Sequence, residues 1–192
     1  MSVIKKPKIW ELERIVELHY KNLKDGILYR LGKPVLRFFY KEIFNDKGSF
    51  ILAFYSGNRI IGAAASTKDT AALFKKIKSK YFIELSFRAV FRSFTDPMLL
   101  LRLILNEYPI KIKSELLFLF VENEFRGHGV GQKLVKSTTK RFKAMGVREY
   151  KITIFSSNVR GKKFYERLRF KHGGQFSSFN EKRDIYYYKI TE

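Results

Sequence analysis

The chain of 192 residues is long enough for one domain with a real core, and a hydrophobic share of 45% agrees with a globular protein. It contains no cysteine, which excludes disulfides, cysteine metal sites and a thiol nucleophile. With 39 Lys and Arg against 18 Asp and Glu, the net charge is +21, an attraction for polyanions or anionic surfaces that carries no information about fold. The first residues, Met1 to Pro7, lack the apolar core of a signal peptide, and the apolar run from Met98 to Leu105 is broken by Arg102, so a cytoplasmic protein is expected.

Val3 to Lys5 reads as a short first strand. Trp10, Leu12, Ile15, Val16, His19 and Leu23 then share one face of a helix, and Val35, Leu36, Phe39 and Ile43 mark a second, with Pro34 in its first turn. The period changes to that of strands over Phe50 to Tyr55 and Arg59 to Ser66, joined by the turn Ser56-Gly57-Asn58. Residues 68–113 read as a helical insertion, with pieces at Ala71 to Ile77, Tyr81 to Phe94 and Pro97 to Tyr108. Such pieces suit a cover on the sheet. With Lys75, Lys76, Lys78 and Lys80 beside aromatics, they equally suit an acceptor lid or a surface for an anionic membrane.

Leu116 to Val121 is continuously apolar, as a strand covered on both faces should be. Arg126-Gly127-His128-Gly129-Val130-Gly131 follows, and after it Val130, Leu134, Thr138, Phe142 and Met145 recur at helical spacing until Gly146. Alternating glycines between a strand and a helix let the backbone approach a ligand closely, and the first helical amides point outward with partial positive charge. The expectation is an anion cradle. Beyond it come a strand over Tyr150 to Phe155, a helix over Val159 to Leu168 opened by Asn158, and a last antiparallel pair, Lys171 to Phe179 and Asp184 to Ile190, joined at Asn180 to Arg183.

Two phosphate-binding motifs fail on spacing. The third glycine arrives one residue early for a dinucleotide fingerprint, and Gly131 is followed by Gln132-Lys133 instead of the Lys-Ser or Lys-Thr of a nucleotide triphosphate loop. The segment resembles instead the signature of the GNAT superfamily of acetyl-CoA-dependent acyltransferases, Gln or Arg, two residues, Gly, one residue, Gly or Ala, met here by Arg126, Gly129 and Gly131. Asn158 to Phe170 resembles the family's later signature, Asn-x-x-Ala-x-x-x-Tyr-Glu-x-Leu-Gly-Phe, with Gly161 in place of alanine and Arg169 in place of the glycine that ends the helix.

The resemblance implies a single α/β domain over residues 1–192 with the GNAT fold, a central mixed sheet flanked by helices, and acetyl-CoA as donor substrate without a metal. It implies that the fourth and fifth strands splay, so that the backbones of Leu119, Phe120 and Val121 hold the pantetheine arm, the Val121 amide serving as oxyanion donor. It assigns the pyrophosphate to Arg126, Gly127, His128, Gly129, Val130 and Gly131, and the pantetheine amide to Asn158, which also caps its helix. A guanidinium matches phosphate geometry, which adds the Arg126 side chain to that set.

Tyr165 lies seven residues beyond Asn158, close to two helical turns, so its hydroxyl shares a side with Asn158 and is the candidate general acid for the departing thiolate. Its competing role is a packed aromatic. An alkyl amine with a pKa near ~10 needs a base at neutral pH. Glu115, eleven residues before Arg126, stands where several family members carry one, against the alternative of a solvated acid at a strand end. His19, His128 and His172 are weaker candidates, since none has an orienting partner in the sequence.

The expected function is transfer of an acetyl group to a primary amine by direct attack in a ternary complex. A chain this basic disfavours polycationic acceptors and favours neutral or acidic small-molecule amines. The alternatives are acetylation of a protein N-terminus, with residues 68–113 as a docking face, and a non-catalytic CoA-binding or membrane-surface module. Peripheral membrane contact and a homodimer are compatible with this reading. Nucleic acid is not favoured, because the aromatics fall in strand-like runs instead of alternating with a basic stripe.

Overall fold

The computed structural model describes residues 2–24, 27–80, 111–178 and 181–191. In chain order these form β1 (Ser2–Lys5), a 3-10 turn (Ile9–Glu11), α1 (Leu12–Asn22), α2 (Ile27–Leu31), α3 (Lys33–Asn45), β2 (Ser49–Ser56) and β3 (Arg59–Thr67). A helix, α4, has its described part over residues 70–80. Then follow β4 (Glu115–Val121), a second 3-10 turn (Asn123–Phe125), α5 (Val130–Ala144), β5 (Glu149–Phe155), α6 (Val159–Arg167), β6 (Lys171–Ser178) and β7 (Glu181–Lys189). The strands build one mixed sheet in the order β1-β2-β3-β4-β5-β7-β6.

The helical stripes read from the sequence face the two sides of this sheet, except that Trp10, expected on the first stripe, lies in the 3-10 turn ahead of α1 and is 71% exposed. Ile15, Leu36, Phe39, Tyr40 and Ile43 pack from α1 and α3 onto Ile51, Ala53, Ala65 and Phe120, with Leu73 and Ile77 of α4 in the same layer. Leu134 and Phe142 of α5 and Tyr165 of α6 pack on Phe54, Ala64, Leu116, Tyr150 and Ile152 from the opposite side. β4 supplies apolar side chains to both layers, which is why its sequence shows no polar alternation.

Two elements differ from expectation, and part of a third is not described. The five-residue α2 is too short to leave a periodic signal. Helix α4 agrees with the piece at Ala71 to Ile77, while the pieces at Tyr81 to Phe94 and Pro97 to Tyr108, and the lid and membrane readings built on them, lie outside the described residues. The last connection was placed too late: Glu181 to Arg183 already belong to β7, with Ser178↔Glu181 and Ser177↔Lys182 in register. These polar residues hold a strand because the Arg183 guanidinium lies over the Phe155 ring, 4.4 Å from its centroid, and pairs with Glu181 at 3.1 Å.

Candidate active site

β4 is paired unequally along its two edges. Against β3 it runs antiparallel from Thr67↔Glu115 to Gly62↔Val121, with a register shift between Ala65 and Ser66 that leaves Leu117 unmatched, a β-bulge. Against β5 the parallel ladder holds the single pair Glu115↔Lys151, next to the bond from the Lys151 amide to the Ser114 carbonyl at 2.9 Å. Along its other edge β5 pairs antiparallel with β7 throughout, from Glu149↔Lys189 to Phe155↔Arg183. Leu119, Phe120 and Val121 therefore present a backbone edge with no strand partner in the middle of a sheet, and such groups call for a ligand or water.

The glycine loop lies at the open end of this gap. Gly127 and Gly129 take φ of 87° and 76°, in the left-handed region, and Gly129 opens α5 with no side chain capping it. A Cβ on either glycine would meet nothing within 4 Å, so space stands open before the first-turn amides, and α5 has no acid in that turn. The arrangement fits a phosphate. At Gly131 the helix approaches α6, where an added Cβ would stand 3.3 Å from the Phe164 ring. His128 is exposed on the loop.

The Arg126 side chain turns back from the loop. Its Nε donates to the Val121 carbonyl at 3.0 Å and Nη2 donates to Asn22 Oδ1 at 2.9 Å, tying the loop to the end of β4 and to α1. Burial and the nearby Arg160 hold the guanidinium below its ordinary pKa. Two cations that repel one another beside uncapped amides make the loop electropositive. Arg160 was not singled out from the sequence; the signal was its position two residues after Asn158 in the second signature. The far end of β4 is fixed by Glu122, almost fully buried, which pairs with Arg14 of α1 and with Arg59 at 2.6 Å.

Asn158 caps α6, its Oδ1 accepting from the Gly161 amide at 2.8 Å. The glycine at 161 follows from close packing, since a Cβ there would stand 2.4 Å from Ile154 Cδ1 and 2.9 Å from the Asn158 side chain. Arg169, in the place of the helix-ending glycine, takes φ 67° and preserves the exit, with the Phe170 amide donating to the Tyr165 carbonyl at 3.1 Å. Tyr165 is 9% exposed, edge-on to Phe164 and Phe170. Burial, with the neighbouring Tyr150, raises its pKa, so the phenol stays protonated. Packing of the ring, the competing role, is what this geometry shows.

Glu115 occupies the closed end of the gap, and it is buried, not the solvated acid of the alternative reading. Its Oε2 accepts from Thr70 Oγ1 at 2.9 Å and its Oε1 from Thr153 Oγ1 at 3.0 Å, and the Lys151 ammonium stands 3.8 Å away. Burial raises the carboxyl pKa, against the pull of Lys151 and the two hydroxyls. Lys151 is itself buried, donates to the Ile112 carbonyl at 2.6 Å, and has its pKa lowered by desolvation.

The histidines separate. His19 is buried on α1, with Nδ1 2.7 Å from the Tyr40 hydroxyl and its ring against Phe118 and Phe120, and burial lowers its pKa to about 4. His172 on β6 lies 3.3 Å from Asp184, which also accepts from Lys162 of α6 at 3.2 Å. Among the described residues no group of three or more His, Cys, Asp or Glu converges as metal ligands, and no helix is long and apolar enough to cross a membrane.

The comparisons agree with this fold. No curated protein matches the chain. Among solved structures, an N-acetyltransferase from Staphylococcus aureus Mu50 is similar over 100% of this chain and 99% of its own, with a TM-score of 0.65 at 16% identity. A PaiA N-acetyltransferase from Thermoplasma acidophilum in complex with coenzyme A covers 98% of this chain and 99% of its own, with a TM-score of 0.65 at 17% identity. The ribosomal-protein-S18-alanine N-acetyltransferase of Escherichia coli covers 100% and 96%, with a TM-score of 0.65 at 12% identity. At these identities the likeness is one of fold. The model of the acetyltransferase (GNAT) family matches residues 12–170, and the chain belongs to that family of acetyl-CoA-dependent acyltransferases.

Proposed function

We propose that the chain transfers the acetyl group of acetyl-CoA to the primary amine of a neutral or acidic small molecule, by direct attack in a ternary complex. The observation that carries this reading is the single-rung opening between β4 and β5, with the glycine loop at one end and buried Glu115 at the other, about 20 Å of strand separating Glu115 from Val121. A thioester supplies the activated acyl group. The amides of Gly127 to Gly131, in the field of Arg126 and Arg160, hold the pyrophosphate, while the free edge of Leu119 to Val121 and the Asn158 side chain hold the arm and direct the thioester down the gap toward Glu115.

Glu115 accepts the proton of the incoming amine, directly or through one water. A carboxylate has about four lone-pair positions, so the two threonine hydroxyls and the ammonium do not exhaust it. Tyr165 donates its proton to the departing thiolate. The acceptor class follows from charge: with 39 basic and 18 acidic residues the chain has few carboxylates with which to line a pocket for a polycation.

The test follows CoA release with free amino acids and amino sugars, with a polyamine, and with a peptide bearing a free N-terminus. Turnover with the first group, falling about 10²-fold in Glu115→Gln and Tyr165→Phe while acetyl-CoA affinity holds, is the expected result. Turnover with the peptide alone would move the acceptor to a protein N-terminus. Wild-type rates in both variants would remove the two residues from the chemistry.

A further inference from the structure

Among the described residues, one side of the sheet carries a run of positive charge with almost no acid in it. α5 carries Lys133, Lys136, Lys140, Arg141 and Lys143, all exposed, and no acid, and α6 adds four more cations against Glu166. Both helices cover the same side of the sheet. On the opposite side several cations of the helical layer pair with acids, as in Arg37 with Glu13, Lys33 with Glu17 and Lys76 with Asp46. Among the described residues no cation of α5 pairs with an acid; Lys143 instead donates to the Thr191 carbonyl at 3.3 Å.

Lys133, Lys136, Lys140 and Lys143 recur at steps of three, four and three residues. At 100° and 1.5 Å per residue they fall within about 80° of arc along about 15 Å of helix, a continuous ridge that starts beside the glycine loop and runs away from it. Acetyl-CoA carries about four negative charges on its pyrophosphate and 3′-phosphate, all of which belong at the loop end, so it leaves the far part of the ridge without a counter-charge.

We infer that the outer face of α5 docks the phosphate backbone of a nucleic acid duplex. Mutual repulsion of unpaired lysines is relieved by any polyanion, and the identity of the polyanion follows from what the face lacks. The one aromatic of α5, Phe142, is fully buried, and Phe164 and Tyr165 of α6 point into the core layer. These two helices offer no exposed ring on which an unpaired base stacks, which disfavours single strands on this face. Val159 is the only large apolar side chain exposed on these two helices, too little to anchor the face in a bilayer. A duplex asks for neither, since its phosphates are bound by charge alone. The aromatic-free ridge also accounts for the sequence showing no alternation of basic and aromatic residues.

The test titrates a mixed-sequence DNA duplex, its RNA counterpart, a single-stranded oligothymidylate and phosphatidylserine–phosphatidylcholine vesicles onto the full chain saturated with acetyl-CoA, at a series of salt concentrations. The duplexes should bind more tightly than the oligothymidylate or the vesicles, with log K falling against log salt at a slope of about −3 or steeper, as four phosphate contacts require. Lys136→Gln, Lys140→Gln and Lys143→Gln combined should make that slope shallower by about 2 to 3 and leave the thermal shift by acetyl-CoA unchanged. Absence of duplex binding at low salt, an unchanged slope in the triple variant, or tighter binding of vesicles would each overturn the assignment. So would loss of the duplex on adding acetyl-CoA, because the duplex would then be occupying the coenzyme loop.

Discussion

Glu115 and Lys151 face one another across the one parallel rung that joins β4 to β5, carboxylate to ammonium 3.8 Å apart, with side-chain exposures of only 5% and 2%. Sequestering two charges in this way is costly unless both are further hydrogen-bonded, and here both are, to Thr70 and Thr153 on one side and the Ile112 carbonyl on the other. The pair closes the gap between the strands and places a basic carboxylate at its end.

Replacing Lys151 by Met should move the acid limb of the pH profile of kcat/KM. Burial already raises the Glu115 pKa, and the ammonium opposes that rise. Without it the carboxyl pKa climbs further, because an opposite charge at close range is lost. A base works only when deprotonated, so activity falls as pH drops through that pKa and the inflection shifts to higher pH. An acid limb identical to wild type would separate Lys151 from the chemistry of Glu115.

His19 predicts a pH dependence of stability that is independent of catalysis. Its folded pKa of about 4 lies below the ordinary value of 6.5, so the unfolded chain binds the proton more tightly. Stability is then fully present above pH ~6.5 and declines as pH falls toward 4, by about 3 kcal/mol for a depression of this size. Urea midpoints measured at several pH values should show this decline in the wild type and lose most of it in His19→Gln, which keeps a polar partner for Tyr40.

The legible parts of this fold were those written in local chemistry. The helical stripes, the Gly57 turn, the doubly buried β4 and the glycine loop each rest on spacing within a dozen residues, and apart from Trp10 the structure holds them where the spacing put them. The parts that did not show depend on contacts far apart in sequence. Nothing near Arg126 says that its guanidinium turns back to Val121 and reaches Asn22, 104 residues earlier. Burial of Glu115 by Thr70 and Lys151 is equally non-local, which is why a solvated strand-end acid stood as the alternative. Glu181 to Arg183 read as a loop because charged residues usually do, and they are strand only through the Phe155 ring of a neighbouring strand.

Arg169→Gly should stabilise the protein. Arg169 holds φ 67° at the exit of α6, where a side chain costs about 1 to 2 kcal/mol, part of which glycine returns through its greater freedom in the unfolded chain. A net gain of about 1 kcal/mol corresponds to a Tm higher by roughly 2 to 4 °C in a domain of this size. A lower Tm in the variant would show that the arginine side chain contributes more than its backbone strain costs.

The glycine loop gives the most direct test of donor binding. Acetyl-CoA at about a hundred times its Kd should stabilise the wild type by ~2.7 kcal/mol, visible as a rise in Tm, and NAD or ATP at the same concentration should do far less. Gly129→Ala places a Cβ in open space, so its cost to the free protein is the left-handed backbone, about 1 to 2 kcal/mol. Gly129→Glu adds to that strain a negative charge in front of the uncapped amides of α5, where it competes with phosphate. The thermal shift by acetyl-CoA should therefore be reduced in the alanine variant and abolished in the glutamate variant, with both chains folded by circular dichroism. A full shift in Gly129→Glu would place the pyrophosphate away from the loop, and equal shifts by all three nucleotides in the wild type would reduce the loop to one more part of a generally basic surface.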